Sequence, residues 1–258
     1  MSSILNISNL SIGYTSKKQN LVIAKAINVE ITQPKFIALL GKNGIGKSTL
    51  LRTISKVQPS LQGKVQVDSR DVKSYNNMDF SKKISVVLTE RIPPSNLTVY
   101  ELIALGRQMY TNWIGTLRSE DLAKIEESIK QVKINSITDK KVDELSDGQY
   151  QKVMIARALA QDTPIILLDE PTAHLDIINK AEIFKLLKEL VKEKKKTILI
   201  SSHELQLAIQ TADDLWLMTD RDFISGSKED LIRNNALQGL FASEIISFNK
   251  ETAQFIFH

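Results

Sequence analysis

Five apolar residues, Phe36-Ile37-Ala38-Leu39-Leu40, run straight into Gly41-Lys42-Asn43-Gly44-Ile45-Gly46-Lys47-Ser48-Thr49. The first part reads as a buried parallel strand, because such strands are covered on both faces and need not alternate. The second part fits G-x-x-x-x-G-K-[ST] and leads into a helix predicted over Ser48 to Ser55. Strand, glycine loop and helix in that order restrict the fold to α/β, with the loop at the carboxyl edge of a parallel sheet. Such glycines let backbone amides turn inward around phosphate oxygens. Lys47 then places a point charge at the β and γ phosphates, and Ser48 offers a hydroxyl to Mg2+. A plain glycine turn has no need of Lys-Ser at the helix start, so binding of ATP or GTP is expected.

Hydrophobic patterning organises the rest. Leu5 to Ile12 and Leu21 to Ile31 read as strands, Lys64 to Asp68 as an edge strand and Ile84 to Leu88 as a core strand. From about Pro93 to Asp162 the texture turns helical. Thr98-Val99-Tyr100-Glu101 is a capping box, and Leu122, Ile125, Ile129 and Val132 form an apolar stripe at helical spacing. Strands return at Ile165 to Leu168, Thr197 to Ser201 and Leu215 to Met218, with a helix over Asn179 to Lys192 between the first two. That alternation implies a parallel sheet. The expected division is a core of about 1–92 and 162–225, a helical subdomain of about 93–161, and an extension of about 226–258 carrying a helix at Lys228 to Arg233 and a strand at Gln254 to Phe257.

Composition narrows the classes. The 258 residues, 42% hydrophobic, suit one large α/β domain with a subdomain. A net charge of +4 is too small to argue for a nucleic-acid partner. No cysteine occurs, which excludes disulfides, thiolate metal sites and a catalytic thiol. The first ten residues lack a basic leader, and every apolar run falls short of the about 20 residues that span a bilayer, so a membrane role needs another polypeptide. The basic run Lys192 to Lys196 fits a solvated helix end better than a lipid contact.

Asp169 and Glu170 end an apolar strand, and His203 ends another. Alone, an acidic pair there is as often a helix cap as a catalytic pair. Beside a phosphate loop it becomes chemistry: Asp169 holds magnesium, and Glu170 orients or deprotonates the attacking water. His203, paired with Glu170, senses the γ phosphate. His174 and His258 read as surface residues.

Leu145-Ser146-Asp147-Gly148-Gln149 precedes a helix predicted over Tyr150 to Ala160, so Ser146 and the Gly148 amide present a second anion-binding helix start. With one nucleotide pocket per chain, that makes sense only against the nucleotide of another copy. Here the chain resembles the ATP-binding cassette (ABC) ATPases, whose signature normally reads Leu-Ser-Gly-Gly-Gln. The resemblance covers almost the whole chain, because several motifs agree in identity and order. It implies a phosphate-loop core with a mainly parallel sheet, an N-terminal antiparallel β subdomain and an inserted α-helical signature subdomain. Tyr14 matches the aromatic that stacks on adenine, Gly41 to Thr49 the Walker A loop, Asp169 and Glu170 the Walker B pair, Ala173 to Asp176 the interface loop, and His203 the switch histidine. It further implies a head-to-tail homodimer sandwiching two ATP molecules, with Ser146, Gly148 and Gln149 of each chain closing on the other's nucleotide.

Two positions depart from the family pattern. Asp147 stands where glycine is usual, and Glu90 falls where a glutamine normally serves magnesium. Thr98 to Arg107, the aromatic-bearing Tyr110 to Leu117 and the helix start at Ser119 look like importers of iron-siderophores, haem and vitamin B12. In that group the chain sits in the cytoplasm on the inner face of the membrane, serves integral-membrane permeases and works indirectly with a substrate-binding protein. Glu90 to Leu97 and Tyr110 to Leu117 are the candidate permease-docking surface; Trp113, Ile114 and Leu117 fit subdomain core equally well. Relatives acting on DNA ends need a long coiled-coil insertion, which the roughly one hundred residues between Walker A and the signature do not supply. Translation factors of the family usually carry two cassettes, and this chain has one set of motifs. A soluble scaffold ATPase for cluster assembly is the alternative.

Overall fold

The computed structural model describes residues 3–15, 20–240 and 245–258. Strand β1 (Leu5–Tyr14) buries Leu5, Ile7, Leu10 and Ile12 and pairs antiparallel with β2 (Leu21–Ile31). β3 (Phe36–Leu40) is buried at every residue, as its unbroken apolar run requires, and leads to helix α1 (Lys47–Ile54). β4 (Gln62–Val67) and the two-residue β5 (Arg70–Asp71) complete an antiparallel sheet of order β2-β1-β4-β5. The expected edge strand is thereby corrected. β4 lies inside this sheet because the chain doubles back into β5, through a turn in which Asp68 takes φ 50° and Ser69 φ 62°.

Helix α2 (Asn77–Ser81) and strand β6 (Ile84–Val87) precede three helices: α3 (Val99–Ala104), α4 (Ser119–Gln131) and α5 (Asp147–Ala160). The capping box forms at α3: Thr98 Oγ1 accepts from the Glu101 N–H at 3.2 Å, and the Glu101 carboxylate accepts from the Thr98 N–H at 2.7 Å. Of the expected stripe, Ile125, Ile129 and Val132 are buried, but Leu122 is exposed. Asp121 occupies the inward position instead, drawn by Arg107, and the next residue on a helix lies about 100° around the axis. The Arg107–Asp121 pair is 2.8 Å long with side chains 7% and 3% exposed, and Arg107 also donates to the Ala160 carbonyl. One buried guanidinium thus ties the turn after α3 to α4 and to the end of α5.

The alternation then runs β7 (Ile165–Asp169), α6 (Ile177–Lys194), β8 (Thr197–Ser202), α7 (Leu205–Thr211), β9 (Asp214–Met218) and β10 (Phe223–Ser227). Helix α8 (Lys228–Arg233) follows, and β11 (Ile246–Asn249) with β12 (Gln254–Phe257) makes a separate hairpin. The large sheet has order β10-β9-β3-β8-β7-β6, parallel except for β10 against β9. β6, expected as a core strand, is its edge, yet Ile84, Ser85 and Val87 remain buried.

Alternate residues divide the burial between the two faces of this sheet. Ile37, Leu39, Ile165, Leu167 and Trp216 pack with α1 and the antiparallel sheet. Ala38, Leu40, Ile166, Leu168 and Ile200 pack towards the helices. The register decides the site: β8 lies between β3 and β7, with Leu40 beside Ser202 and Asp169 beside Ser201. The phosphate loop, Asp169-Glu170 and His203 therefore leave one edge of the sheet together, the edge at which parallel sheets bind ligands.

Candidate functional site

The phosphate loop takes a shape that side chains would resist. Gly44 and Gly46 have φ 75° and 110°, and a Cβ on Gly46 would stand 2.3 Å from Ile23 Cγ2 of β2. Asn43 and Gly44 are exposed, while Ile45 packs on the antiparallel side. Lys42 reaches Asp220 at 3.1 Å. Lys47 is buried and donates to the Gly41 and Lys42 carbonyls, each at 3.0 Å. Burial pushes its ammonium below the ordinary lysine range, and the carboxylates of Glu170 and Asp169 oppose that shift. Tyr14 is half exposed, and its hydroxyl lies 3.2 Å from Thr49 Oγ1, which sets its ring beside the start of α1.

Across the sheet edge, Ser48 Oγ donates to Asp169 Oδ1 at 3.0 Å. The same carboxylate oxygen accepts from Ser201 Oγ at 2.7 Å, and Ser201 Oγ in turn accepts from the Glu170 N–H at 2.9 Å. Glu170 adopts a left-handed backbone, φ 50°, uncommon for a residue with a side chain. That turn brings its carboxylate 2.6 Å from His203 Nε2 and 3.9 Å from Lys47 Nζ. A carboxylate, an imidazole and a buried cation therefore converge on the phosphate loop.

Sequence reasoning did not find Ser201 or Thr89, whose hydroxyl donates to the Asp169 carbonyl at 3.1 Å. Their only signal was position, Ser201 at the end of an apolar strand two residues before His203, and Thr89 just past another. Glu90 is placed differently from Ser48 and Asp169. Its side chain is 73% exposed and paired with Arg52 at 2.5 Å, and among the described residues no hydrogen bond joins it to the other two.

Ser146, Gly148 and Gln149 build the start of α5. Ser146 Oγ accepts from the Gln149 N–H at 3.3 Å, and the Gln149 side chain accepts from the Ser146 N–H at 3.2 Å. Gly148 fits closely against α6, where a Cβ would meet Asn179 Oδ1 at 3.1 Å. No hydrogen bond among the described residues links these three to the phosphate loop. Asp147 pairs instead with Arg91 from the loop after β6. Trp113 and Ile114, 94% and 68% exposed, are not core of this chain, whereas Leu117 is half buried against the helices.

A family model for the ABC transporter matches residues 24–173. The chain belongs to the ABC transporter family. An ABC transporter ATP-binding protein of Methanocaldococcus jannaschii is 37% identical over 92% of this chain and 81% of its own length. The probable siderophore transport system ATP-binding protein of Bacillus subtilis is 34% identical over 93% and 86%. The ferric enterobactin transport ATP-binding protein of Escherichia coli is 32% identical over 90% and 84%. Among solved structures, an inward-facing ABC transporter superposes with a TM-score of 0.80 at 26% identity, covering 99% of this chain and 96% of that one. A dimeric ATP-binding cassette bound to ADP and Pi superposes with a TM-score of 0.75 at 27% identity, over 87% and 98%. The chain is accordingly an ABC ATPase of the transporter type, and these relatives do not favour the scaffold alternative.

Proposed function

We propose that the chain is the ATP-hydrolysing subunit of an importer for iron-siderophores, haem or cobalamin, working as a homodimer beneath an integral-membrane permease. The observation that carries it is the convergence of Lys47, Ser48, Asp169, Glu170 and His203 at the phosphate loop. The siderophore and enterobactin relatives support the cargo class, and the dimeric cassette supports the pair. No helix among the described residues is long and apolar enough to cross a membrane, in keeping with attachment from the cytoplasmic face through the permease. A substrate-binding protein would then act on the far side and touch this chain only indirectly.

In this reading residues 41–49 wrap the phosphates and Tyr14 stacks on the adenine. Lys47 leaves the loop carbonyls for the β and γ phosphate oxygens, which exchanges carbonyl dipoles for full negative charges. Glu170 takes the proton of the attacking water, while His203 holds the Glu170 carboxylate and meets the γ phosphate. Ser48 and Asp169 are hard oxygen donors 3.0 Å apart, and one hydroxyl with one carboxylate is what magnesium takes when phosphates and waters fill its remaining positions. Bound there, magnesium would neutralise charge on the β and γ oxygens. Ser146, Gly148 and Gln149 close on the partner's nucleotide, residues 93–161 act as the helical signature subdomain on a core of 1–92 and 162–225, and 226–258 is an extension.

Glu170→Gln tests the core of this. Bound ATP should persist while hydrolysis drops by about a hundredfold or more, and the chain should accumulate as an ATP-bound dimer in analytical ultracentrifugation. Unimpaired turnover would remove Glu170 from the role of base.

A further inference from the structure

The loop after β6 and the start of α5 lie 56 residues apart in sequence, yet their side chains interlock. Arg91 pairs with the Asp147 carboxylate in the first turn of α5. Its guanidinium lies 5.0 Å from the centre of the Tyr150 ring, one turn further along. The Tyr150 hydroxyl accepts from the Ile92 N–H at 3.0 Å. Arg91, Asp147 and Tyr150 share a cavity of about 230 Å3 with Glu170 and His174.

For the helix, Asp147 is harmless, since a carboxylate in a first turn is favoured by the free amides there. For an anion approaching the same amides it is repulsive, because carboxylate and phosphate carry the same sign. Arg91 supplies the counter-charge, and its contact with the Tyr150 ring favours the position beside Asp147. We propose that Arg91 is a positioning residue: it neutralises Asp147 and holds it away from the phosphate that the start of α5 receives, so that the loop after β6 and the signature helix engage nucleotide as one unit. The inference rests on the reading above, in which α5 closes on the ATP held by a second copy.

The test measures ATP-driven dimer formation in the Glu170→Gln chain and steady-state hydrolysis in the chain with Glu170 intact. Arg91→Ala should raise the ATP concentration for half-maximal dimer formation, and the KM for ATP, by about tenfold, with a much smaller effect on kcat. Arg91→Lys keeps the charge and should stay within about threefold. Arg91→Ala combined with Asp147→Gly should recover most of the loss, because repulsion requires the carboxylate; a guanidinium missing from the face of Tyr150 would not be replaced that way. The proposal is overturned if Arg91→Ala leaves the ATP dependence unchanged or if the double variant stays as weak as the single one. If the Glu170→Gln chain with Arg91 intact stays monomeric at saturating ATP, the dimer reading fails and takes this proposal with it. That result is distinguishable because no change at Arg91 is involved.

Discussion

At the residue scale, Ser201 is the small group that bridges two acidic residues. Its oxygen donates to Asp169 and accepts the Glu170 N–H, so it fixes one carboxylate and one strained backbone at once. Ser201→Ala leaves that N–H without its partner and should cost about 1–3 kcal/mol in denaturant unfolding, with a fall in kcat as Glu170 loosens. Unchanged stability together with unchanged kcat would mean that the turn at Glu170 holds itself. Glu90 makes the contrasting case. Exposed and paired with Arg52, it loses only a surface ion pair in Glu90→Gln, worth about 0–1 kcal/mol, and the amide keeps a ligating oxygen. ATP turnover should therefore be preserved; complete loss in a steady-state assay would show that the acid itself is required.

At the scale of elements, charged side chains tie the helices to the sheet. Removing the carboxylate in Asp121→Ala strands a buried Arg107 and should cost about 3–5 kcal/mol, read as a lower denaturation midpoint. Nearby, Asp162 accepts Lys196 from just before β8 and Lys124 from α4, and Glu127 of α4 accepts Lys194 from the end of α6. Burial raises the Asp121 and Asp162 carboxyls, but their hydrogen bonds and cations outweigh it and hold both below the ordinary 3.8. The bond from Lys194 leads in holding Glu127 below 4.5. Carboxylates depressed in the folded chain stabilise it fully above those ordinary values, and the contribution is lost as pH falls from there through the lower folded values. The denaturation midpoint should thus hold between pH 7 and 5 and drop steeply below about pH 4. Asp162→Asn with Glu127→Gln should flatten part of that drop, and an unaltered acid profile would remove these two groups from the account.

At the scale of the whole molecule, Trp113 and Ile114 are large apolar side chains left strongly exposed. Trp113 and Ile114 border a groove of about 770 Å3 that also includes Met78 and Leu105. The groove borders Tyr110 to Leu117, which with Glu90 to Leu97 is the surface proposed to dock the permease. Trp113→Asp with Ile114→Asp should leave the thermal midpoint and the ATPase activity of the isolated chain within error, since exposed side chains contribute little to folding, and should abolish co-purification with the permease. Retained co-purification would move the docking surface elsewhere.

What the sequence determined by itself was whatever depends on neighbours along the chain. The apolar run Phe36 to Leu40, the glycines of residues 41–46, the capping box at Thr98 and the acidic end of β7 each act over a few residues, so pattern and motif identity were enough. The order of those motifs carried the family as well. Only the tertiary structure decided that β8 lies between β3 and β7, and from that register came the Ser201 bridge and the meeting of Glu170 with His203 and Lys47. It also turned Asp121 inward at the expense of Leu122, gave β6 rather than β4 an edge, and set Arg91 against Asp147. Ion pairs of this kind join residues distant in sequence whose separation in space is set by strand order and helix rotation, and no local pattern encodes either.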